Sequence, residues 1–494
     1  MSSSSSSTSL KFKSCPRKDI RSKPKEKIRE EISENMEALD DRFEFDPEEC
    51  NVASGKWVYN SSAKPLYTDE SCPYIDRQFS CMKNGRPETD YLRWEWQPDD
   101  CTIPRFNPKL AMNKLRGKRL LFVGDSLQRS QWESFVCLVE SIIPEGEKSM
   151  ERSKKYFVFK AKEYNATIEF YWAPFIVESN TDLPVILDMK KRIVKVDSVE
   201  DRAKFWEGAD ILVFNTYVWW MSGLRMKALW GSFGNGERGA EALDTPVAYR
   251  LGLKTWANWV DSTVDPNKTR VFFTTMSPTH SRSADWGKPN GTKCFNETKP
   301  VKDKRFWGTG SNKQMMKVVS SVVKHMTTHV TVINITQLSE YRIDAHTSVY
   351  TETGGKMLTA EQRANPMQNA DCPITQQLIA VTKEVVEFYI YTNKSGKRKI
   401  ETSHKFHRVS ILLLFPHKES GIMAGGNFFG RVFTYLANEV IVNGLANSHA
   451  FQRFAVRTSK RIENISKMAA ENKEKVAQHL EEISQNMDSF KKPR

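Results

Sequence analysis

The 494-residue chain has no apolar run long enough to cross a membrane. The longest candidate, Val409–Phe415, is far shorter than the ~20 residues that a spanning helix needs, so we expect no transmembrane segment. The serine run at the N-terminus is followed by basic residues without an apolar core, so we do not expect a secretory signal peptide. Residues 1–45 are polar and charged, and we expect them to be disordered.

Patterns of nucleic-acid-binding and zinc-binding modules are missing as well. The net charge is +14 and the pI is about 9.2, but there is no zinc-finger spacing, RNA-recognition signature or clustered arginine face. The cysteines form no C-x-x-C pairs. We therefore expect neither a nucleic-acid partner nor a metal ion. The positive charge fits a solvated basic surface, or contacts with an acidic polysaccharide or anionic membrane.

Cysteine is concentrated in one short segment. Cys50, Cys72, Cys81 and Cys101 lie within 52 residues that are also rich in tryptophan and proline. Loop-rich segments with this density of cysteine usually carry disulfide bonds and belong to an oxidising compartment. We expect residues 46–110 to form a small disulfide-rich lobe. Eight Asn-x-Ser/Thr sequons favour a glycoprotein; they begin at Asn60, Asn165, Asn267, Asn290, Asn296, Asn334, Asn393 and Asn464.

The centre of the chain alternates between short apolar strands and helical stretches. Alternation of this kind predicts an α/β fold with a parallel sheet. The strand candidates are Leu120–Val123, Ile211–Phe214, Val271–Thr275 and Val330–Ile333. The helix candidates are Gln131–Ser141, Thr245–Val260 and Asn312–His325.

The most informative motif ends the first of these strands. Residues 119–126 read RLLFVGDS, an apolar run that delivers Ser126 to the carboxyl end of the sheet. Catalytic groups of such sheets gather at this edge, where Asn215 also falls. Serine attack on an ester needs a base, usually histidine, that an acid holds in place.

The acid–base pair that would assist this serine is incomplete in the sequence, because its histidine is missing. Downstream the chain reads Ala370-Asp-Cys-Pro-Ile374, so an Asp-x-x-His pair would start at Asp371 but finds isoleucine at position 374. His346 follows Asp344 by two residues, a spacing at which the carboxylate would have to bend back to orient the ring. We interpret His346, like His280, as a structural or substrate-positioning residue.

Other polar and aromatic residues near these motifs leave two interpretations open. Trp219 and Trp220 could pack in the core or stack against sugar rings. Arg129 could contact substrate or brace the turn that carries Ser126.

The sequence changes character after Cys372. Residues 373–422 have no clean periodicity and predict an irregular linker, and residues 423–494 predict a helical tail of unknown function. Residues 373–494 contain 19 Lys and Arg against 11 Asp and Glu, so +8 of the +14 lies there. We interpret the sequence as a composite in which a truncated domain, residues 111–372, is followed by an unrelated tail.

The motifs between Cys50 and Cys372 resemble, as an ordered set, the plant trichome birefringence-like proteins. Beside the Cys/Trp-rich segment they read Gly124-Asp-Ser-Leu-Gln-Arg129, Gln131-Trp-Glu133, Val213-Phe-Asn-Thr-Tyr-Val-Trp-Trp220, Met276-Ser-Pro-Thr-His280 and Asp344-Ala-His-Thr-Ser348. That family acetylates cell-wall polysaccharides in the Golgi, and the tryptophan-rich motif is most similar to its xylan-acetylating members.

The resemblance implies an esterase-like (SGNH/GDSL) α/β/α fold, an enzyme without a bound cofactor, and roles for several residues. Ser126 would take an acetyl group from a donor, with acetyl-CoA a candidate, and pass it to a sugar hydroxyl. Asp371 would be the acid, without the usual histidine. The backbone of Ser126, with Gly124 and Asn215, would form the oxyanion hole. The substrate contacts would be Arg129, Trp219, Trp220, His280 and His346.

The resemblance also implies disulfide bonds Cys50–Cys101, Cys72–Cys137 and Cys294–Cys372. Cys81 would pair with a cysteine at a position where this chain has Gln376, so we expect a thiol at Cys81. The membrane anchor of family members is not expected here.

These observations predict a polysaccharide O-acetyltransferase, most directly of xylan, impaired by loss of the catalytic histidine. Losing one member of a serine triad leaves only a residual of ~10³–10⁴-fold over water. A catalytically inactive glycan-binding or scaffold protein and a carbohydrate esterase are the alternatives.

Overall fold

The computed structural model describes residues 50–372, except residues 104, 182–185, 187, 222, 234–238 and 354. The predicted disordered segment 1–45, linker 373–422 and helical tail 423–494 lie outside the described residues. The boundary predicted between the lobe 46–110 and the domain 111–372 stays a prediction. No helix among the described residues is long and apolar enough to span a membrane.

The described residues contain strands of two to seven residues. In chain order they are β1 (Gly55–Tyr59), β2 (Trp94–Pro98), β3 (Arg119–Gly124), β4 (Lys148–Arg152), β5 (Tyr156–Ala161), β6 (Ala166–Trp172), β7 (Ile193–Lys195), β8 (Ile211–Phe214), β9 (Arg225–Leu229), β10 (Glu241–Asp244), β11 (Arg270–Thr274), β12 (Val330–Ile333), β13 (Glu352–Thr353) and β14 (Lys356–Met357).

The helices connect these strands or follow them. They are α1 (Pro108–Lys114), α2 (Ser126–Val139), α3 (Glu200–Trp206), α4 (Thr245–Thr263), α5 (Lys313–Val323), α6 (Thr336–Glu340), α7 (Ala360–Arg363) and α8 (Pro366–Asn369). Short 3₁₀ helices lie at Arg77–Phe79, Asp90–Arg93, Glu140–Ile142, Glu145–Glu147, Met189–Lys191 and Ser283–Trp286.

A seven-stranded sheet in the order β12-β11-β8-β3-β6-β5-β4 forms the centre of the fold. The first five strands pair in parallel, and β5 and β4 extend the sheet as an antiparallel meander. All four predicted strands are parallel neighbours in this sheet, so the predicted parallel α/β fold is confirmed. The apolar pattern did not predict β4, β5 and β6, because their mixed polar and apolar residues lack the continuous apolar run of a central strand.

Side chains of the parallel strands pack on both faces of the sheet. In β3, Leu120 and Phe122 belong to one hydrophobic cluster with α2, whereas Leu121 and Val123 belong to a second cluster with α4 and α5. The same alternation occurs along β8 and β11. Burial on both faces explains why these strands are continuous apolar runs, and it confirms the α/β/α layering.

The parallel strands have the order 2-1-3-4-5 when they are numbered along the chain, because β6 and β8 lie on opposite sides of β3. The chain leaves β3 into α2 on one face and leaves β8 towards α4 on the other. This opens a crevice at the carboxyl ends of β3 and β8, which is where ligands bind in sheets of this order.

The lobe before β3 is held to the sheet by covalent and polar contacts. The structure contains the disulfide bonds Cys50–Cys101, Cys72–Cys137 and Cys294–Cys372, as the resemblance implies. Cys72–Cys137 joins the lobe to α2. The indole N–H of Trp57 in β1 donates to the backbone oxygen of Leu338 in α6 at 2.8 Å.

Cys81 belongs to none of the three disulfide bonds. Its thiol is buried, and Sγ lies 3.3 Å from Tyr91 Oη. Burial raises the pKa of this thiol, so it stays protonated at neutral pH.

Removing the Cys72–Cys137 bond should destabilise the junction between the lobe and the sheet. The bond closes a loop with a sequence separation of 65, and Cys72→Ser should lower the free energy of unfolding by about 4 kcal/mol in the chain-entropy picture. Denaturant unfolding without reductant measures it. The double variant Cys72→Ser/Cys137→Ser should be no less stable than the single variant. An unfolding midpoint equal to that of the wild type in both variants would contradict the Cys72–Cys137 bond.

Candidate active site

Ser126 lies at the N-terminus of α2, directly after β3. Asp125 caps this helix, because its side chain accepts a hydrogen bond from the backbone N–H of Leu127 at 2.9 Å. Ser126 is partly exposed, while Asp125 and Leu127 beside it are buried. The serine hydroxyl therefore stands at the crevice, next to backbone N–H groups at a helix N-terminus that favour negative charge. Among the described residues, none hydrogen-bonds Ser126 Oγ.

Gly124 allows the ends of β3 and β8 to approach each other. A Cβ atom at this position would lie 2.5 Å from the backbone oxygen of Asn215 and 2.7 Å from Cβ of Gln128. The backbone N–H of Asn215 donates to the oxygen of Val123 at 3.0 Å, so the two chains stay paired up to the crevice. Only glycine fits between them, because the nearest obstacle is backbone.

Asn215 is buried at the end of β8, beside the turn that carries Ser126. Its side-chain nitrogen donates to the backbone oxygens of Thr274 at 3.0 Å and Thr275 at 3.2 Å, and Oδ1 is buried without a hydrogen bond to a described residue. In this orientation both amide N–H groups hold the end of β11. The predicted oxyanion role of Asn215 needs a rotated amide and stays a prediction.

Asp371 is held by a short segment that several distant elements anchor. It exchanges two backbone hydrogen bonds of 3.0 Å with Ser348, and Thr347 Oγ1 lies 3.5 Å from Asp371 Oδ2. The next residue, Cys372, is bonded to Cys294 and accepts the backbone N–H of His280 at 3.0 Å. Loss of hydration raises the pKa of the Asp371 carboxyl to about 6. Position 374, where the resemblance places histidine, lies outside the described residues.

His280 and His346 do not face a substrate, contrary to the predicted contacts. Their exposed fractions are 2% and 1%, and Nδ1 of His280 lies 2.8 Å from Nε2 of His346. Nε2 of His280 lies 2.9 Å from the backbone oxygen of Glu340. Burial lowers the pKa of His280 to about 4. The burial and mutual contact of the two rings favour the structural interpretation over a substrate contact.

Asp344 is paired with arginine rather than with His346. Its carboxylate lies 2.8 Å from the Nε atom of Arg342, and both side chains are buried. This pairing agrees with the expectation that the Asp344/His346 spacing does not make a catalytic pair.

The structure separates the two predicted tryptophan contacts. Trp220 is only 1% exposed and packs edge-on against Phe175 and Tyr249, so its predicted sugar contact is wrong: the ring is a core group. Trp219 is partly exposed, but the Arg192 guanidinium carbon lies 4.1 Å from the ring centroid. A sugar that stacks on that face would have to displace Arg192.

Arg129 braces the lobe against α2. Its guanidinium lies 3.7 Å from Asp76 and 3.6 Å from Glu133, and over the ring of Phe79 at 5.1 Å. These contacts favour the bracing role over a substrate contact.

Sequence patterns did not single out two buried carboxyl groups, Asp125 at the N-cap of α2 and Glu133 within α2. Burial raises the pKa of Asp125 and the pKa of Glu133 to about 7 each. Asp125 Oδ2 has no hydrogen bond to a described residue. The sequence signal was available, since both residues belong to the quoted motifs around Ser126, but their burial depends on the packing of the sheet and the lobe.

Comparison with known proteins identifies the family. Residues 103–373 match a family described as GDSL/SGNH-like acyl-esterases found in Pmr5 and Cas1p, and residues 48–102 match the PMR5 N-terminal domain. Protein trichome birefringence-like 3 of Arabidopsis thaliana is 91% identical over 363 residues, which are 74% of this chain and 84% of that protein. The chain belongs to the trichome birefringence-like family. The predicted family and esterase-like fold are confirmed.

Rice relatives of this trichome birefringence-like chain carry names that state an activity. Probable xylan O-acetyltransferase 8 of Oryza sativa subsp. japonica is 56% identical over 333 residues, 67% of this chain and 75% of that protein. Probable xylan O-acetyltransferase 10 of the same plant is 50% identical over 323 residues, 65% of this chain and 73% of that protein.

Gly124→Ala should destabilise the fold, because its Cβ would collide with the backbone of β8. Overpacking of this kind typically costs about 1–3 kcal/mol. Gly146→Ala is the matched control, since a Cβ there meets nothing within 4 Å, and it should change stability by less than about 0.5 kcal/mol. Denaturant unfolding compares the variants, and equal midpoints would rule out the close approach.

Asp125→Asn should remove part of the pH dependence of stability. Because burial raises the folded-state pKa of Asp125 from 3.8 to about 7, its protonated form contributes its full stabilisation only below the unfolded-state pKa. This contribution falls as the pH rises above that value and is lost once the pH passes the folded-state pKa of about 7. When the pH is raised from 5 to 8, the free energy of unfolding should fall by roughly 3 kcal/mol more in the wild type than in the variant.

Unfolding by denaturant at the two pH values measures that difference. Asp100→Asn, at an exposed position, is the control and should follow the wild type. Parallel pH curves for the wild type and Asp125→Asn would show that the Asp125 carboxyl is ionised in the folded chain.

Proposed function

We propose that this chain is an O-acetyltransferase of a plant cell-wall polysaccharide, most directly xylan, that works through an acetyl-serine intermediate. The observation that carries the proposal is Ser126, partly exposed at the switch-point crevice of a family member whose relatives are named xylan O-acetyltransferases. The family match covers both the lobe and the sheet, so it applies to the whole folded body rather than to one motif.

The chemistry needs two transfers at one serine. Ser126 Oγ attacks the acetyl carbonyl of the donor, its proton moves to a base, and the donor's leaving group departs with a proton. A sugar hydroxyl then attacks the acetyl-serine ester, gives up its proton, and leaves with the acetyl group while Ser126 is restored. Each tetrahedral intermediate carries an oxyanion, which backbone N–H groups at the start of α2 would stabilise.

Asp371 is the acid of this proposal, and its environment suits an orienting role. A carboxyl group with a pKa of about 6 is mostly ionised above that pH, and it is held by Ser348 and Thr347 rather than by solvent. The base is the missing member, because position 374 is isoleucine. We therefore expect the chain to be impaired relative to a family member with the complete Asp-x-x-His motif.

The donor, partners and compartment are part of the same proposal. Acetyl-CoA is the candidate donor, and an uncharged or weakly acidic glycan is the acceptor. Three disulfide bonds favour an oxidising lumen, and the Golgi is the compartment in which wall polysaccharides of this kind are acetylated.

An inactive glycan-binding protein is the second candidate, and Ile374 is the observation that favours it. A carbohydrate esterase would use the same acetyl-serine, with water in place of sugar as the acceptor.

Mass spectrometry of xylo-oligosaccharides incubated with an acetyl donor separates these functions. The acetyltransferase should replace one hydroxyl hydrogen with an acetyl group per event, and Ser126→Ala should abolish the resulting mass gain because no acetyl-serine forms. Ser130→Ala, one turn further along α2, is the matched control.

Replacing the residues after Asp371 with the terminal segment of a family member that has the Asp-x-x-His motif should raise the rate of acetyl transfer. A complete triad exceeds the residual activity of an incomplete one by orders of magnitude. Acetyl loss from a pre-acetylated oligosaccharide would instead indicate an esterase. No reaction in the wild-type and grafted chains alike would overturn the catalytic proposal and favour glycan binding.

A further inference from the structure

His280 and His346 form a buried pair that the proposed acetyl transfer does not use. Their ring centroids are 5.0 Å apart and the rings are nearly perpendicular, at 80°. His280 follows β11, and His346 lies in the loop after α6, 66 residues further along the chain. Two rings from distant segments therefore meet through one short nitrogen–nitrogen contact.

The partners of His280 determine where the ring protons lie. A backbone oxygen can only accept, so Nε2 of His280 must carry the proton that it donates to Glu340. At a folded-state pKa of about 4 the ring is neutral at physiological pH, and Nδ1 is consequently the bare acceptor. The 2.8 Å contact then requires that His346 donates from Nε2.

Each histidine belongs to a segment that contacts the chain at Asp371 or at Cys372 next to it. The backbone N–H of His280 donates to Cys372, and the residues after His346, Thr347 and Ser348, bond Asp371 itself. The opposite side of the loop is held by Arg86, which donates to the backbone oxygens of His346 at 2.7 Å and Asp344 at 2.8 Å. The contact between the two rings thus joins the segment of His280, which bonds Cys372, to the 346–348 loop, which bonds Asp371.

We propose that His280 and His346 are positioning residues, whose fixed-tautomer hydrogen bond locks the 346–348 loop against the 371–372 segment and so sets the placement of Asp371. The Cys294–Cys372 bond fixes the neighbouring residue, but the Asp371 carboxyl depends on the loop that His346 holds. The role resembles that of the outer hydrogen bonds that orient ligands and bases in other sites. The proposal rests on Asp371 being the acid of the proposed function.

The tautomers can be measured without any activity. Long-range ¹H–¹⁵N spectra of the full chain near neutral pH should show His280 protonated at Nε2 and bare at Nδ1, with His346 protonated at Nε2. A proton on Nδ1 of His280, or a charged His280 ring, would overturn the proposal.

Variants at position 346 separate the hydrogen bond from packing. Gln places a donor near the former Nε2, whereas Met has a similar length without a donor. Hydrogen exchange at the Ser348 and Asp371 amides should accelerate by about 10- to 100-fold in His346→Met, because it leaves a buried acceptor unmatched. His346→Gln should stay within about threefold of the wild type. Equal exchange in the two variants would overturn the proposal.

Acetyl transfer is the second readout and keeps the two proposals distinct. If the wild type is active, His346→Met should lower kcat with little change in KM, whereas His346→Gln should keep kcat near the wild-type value. If wild type and grafted chain are both inactive, the acetyltransferase proposal fails. The tautomers and amide exchange then still decide whether the pair holds the segment of Asp371.

Discussion

The close approach of β3 and β8 at Gly124 and Asn215 is the constraint on which the rest of the site depends. A side chain at position 124 would meet the backbone oxygen of Asn215 at 2.5 Å, so the two strand ends could no longer pair up to the crevice. Ser126 emerges two residues later at the start of α2, and Asn215 braces β11 through its amide. Ser126, the neighbouring strand β8 and the next strand β11 are therefore located by one backbone contact.

A second set of contacts brings the distant Asp371 into the same folded body. Asp371 follows Ser126 by 245 residues, and its segment is held by a disulfide bond, a two-hydrogen-bond bridge and the backbone of His280. The lobe also helps to hold this segment. Its Arg86 donates to the backbone oxygen of His346, and the backbone oxygen of its Tyr91 accepts a hydrogen bond from Arg342 at 2.7 Å. These contacts join the disulfide-rich lobe to the segment that holds Asp371.

Three carboxyl groups that belong to the candidate-site motifs are buried and have raised pKa values. Asp125 at the N-cap of α2, Glu133 within α2 and Asp371 in its anchored segment all have raised pKa values, because each carboxyl group loses hydration. At Glu133 this loss outweighs the opposing effect of the Arg129 guanidinium 3.6 Å away. Their protonated forms favour the fold, so these carboxyl groups lower stability as the pH rises towards 7. Raised pKa values of this kind cluster at functional sites in proteins.

The sequence by itself determined the parallel strands and the position of Ser126, because these are local features: an apolar run buried on both faces and a turn with glycine before serine. The ordered motifs indicated the family, and only the resemblance to that family implied which cysteines pair. Only the tertiary structure decided that Trp220 is a core ring, that His280 and His346 contact each other, and that Arg129 braces the lobe. The physical reason is that burial and hydrogen-bond partners depend on residues tens to hundreds of positions away, to which local patterns carry no signal.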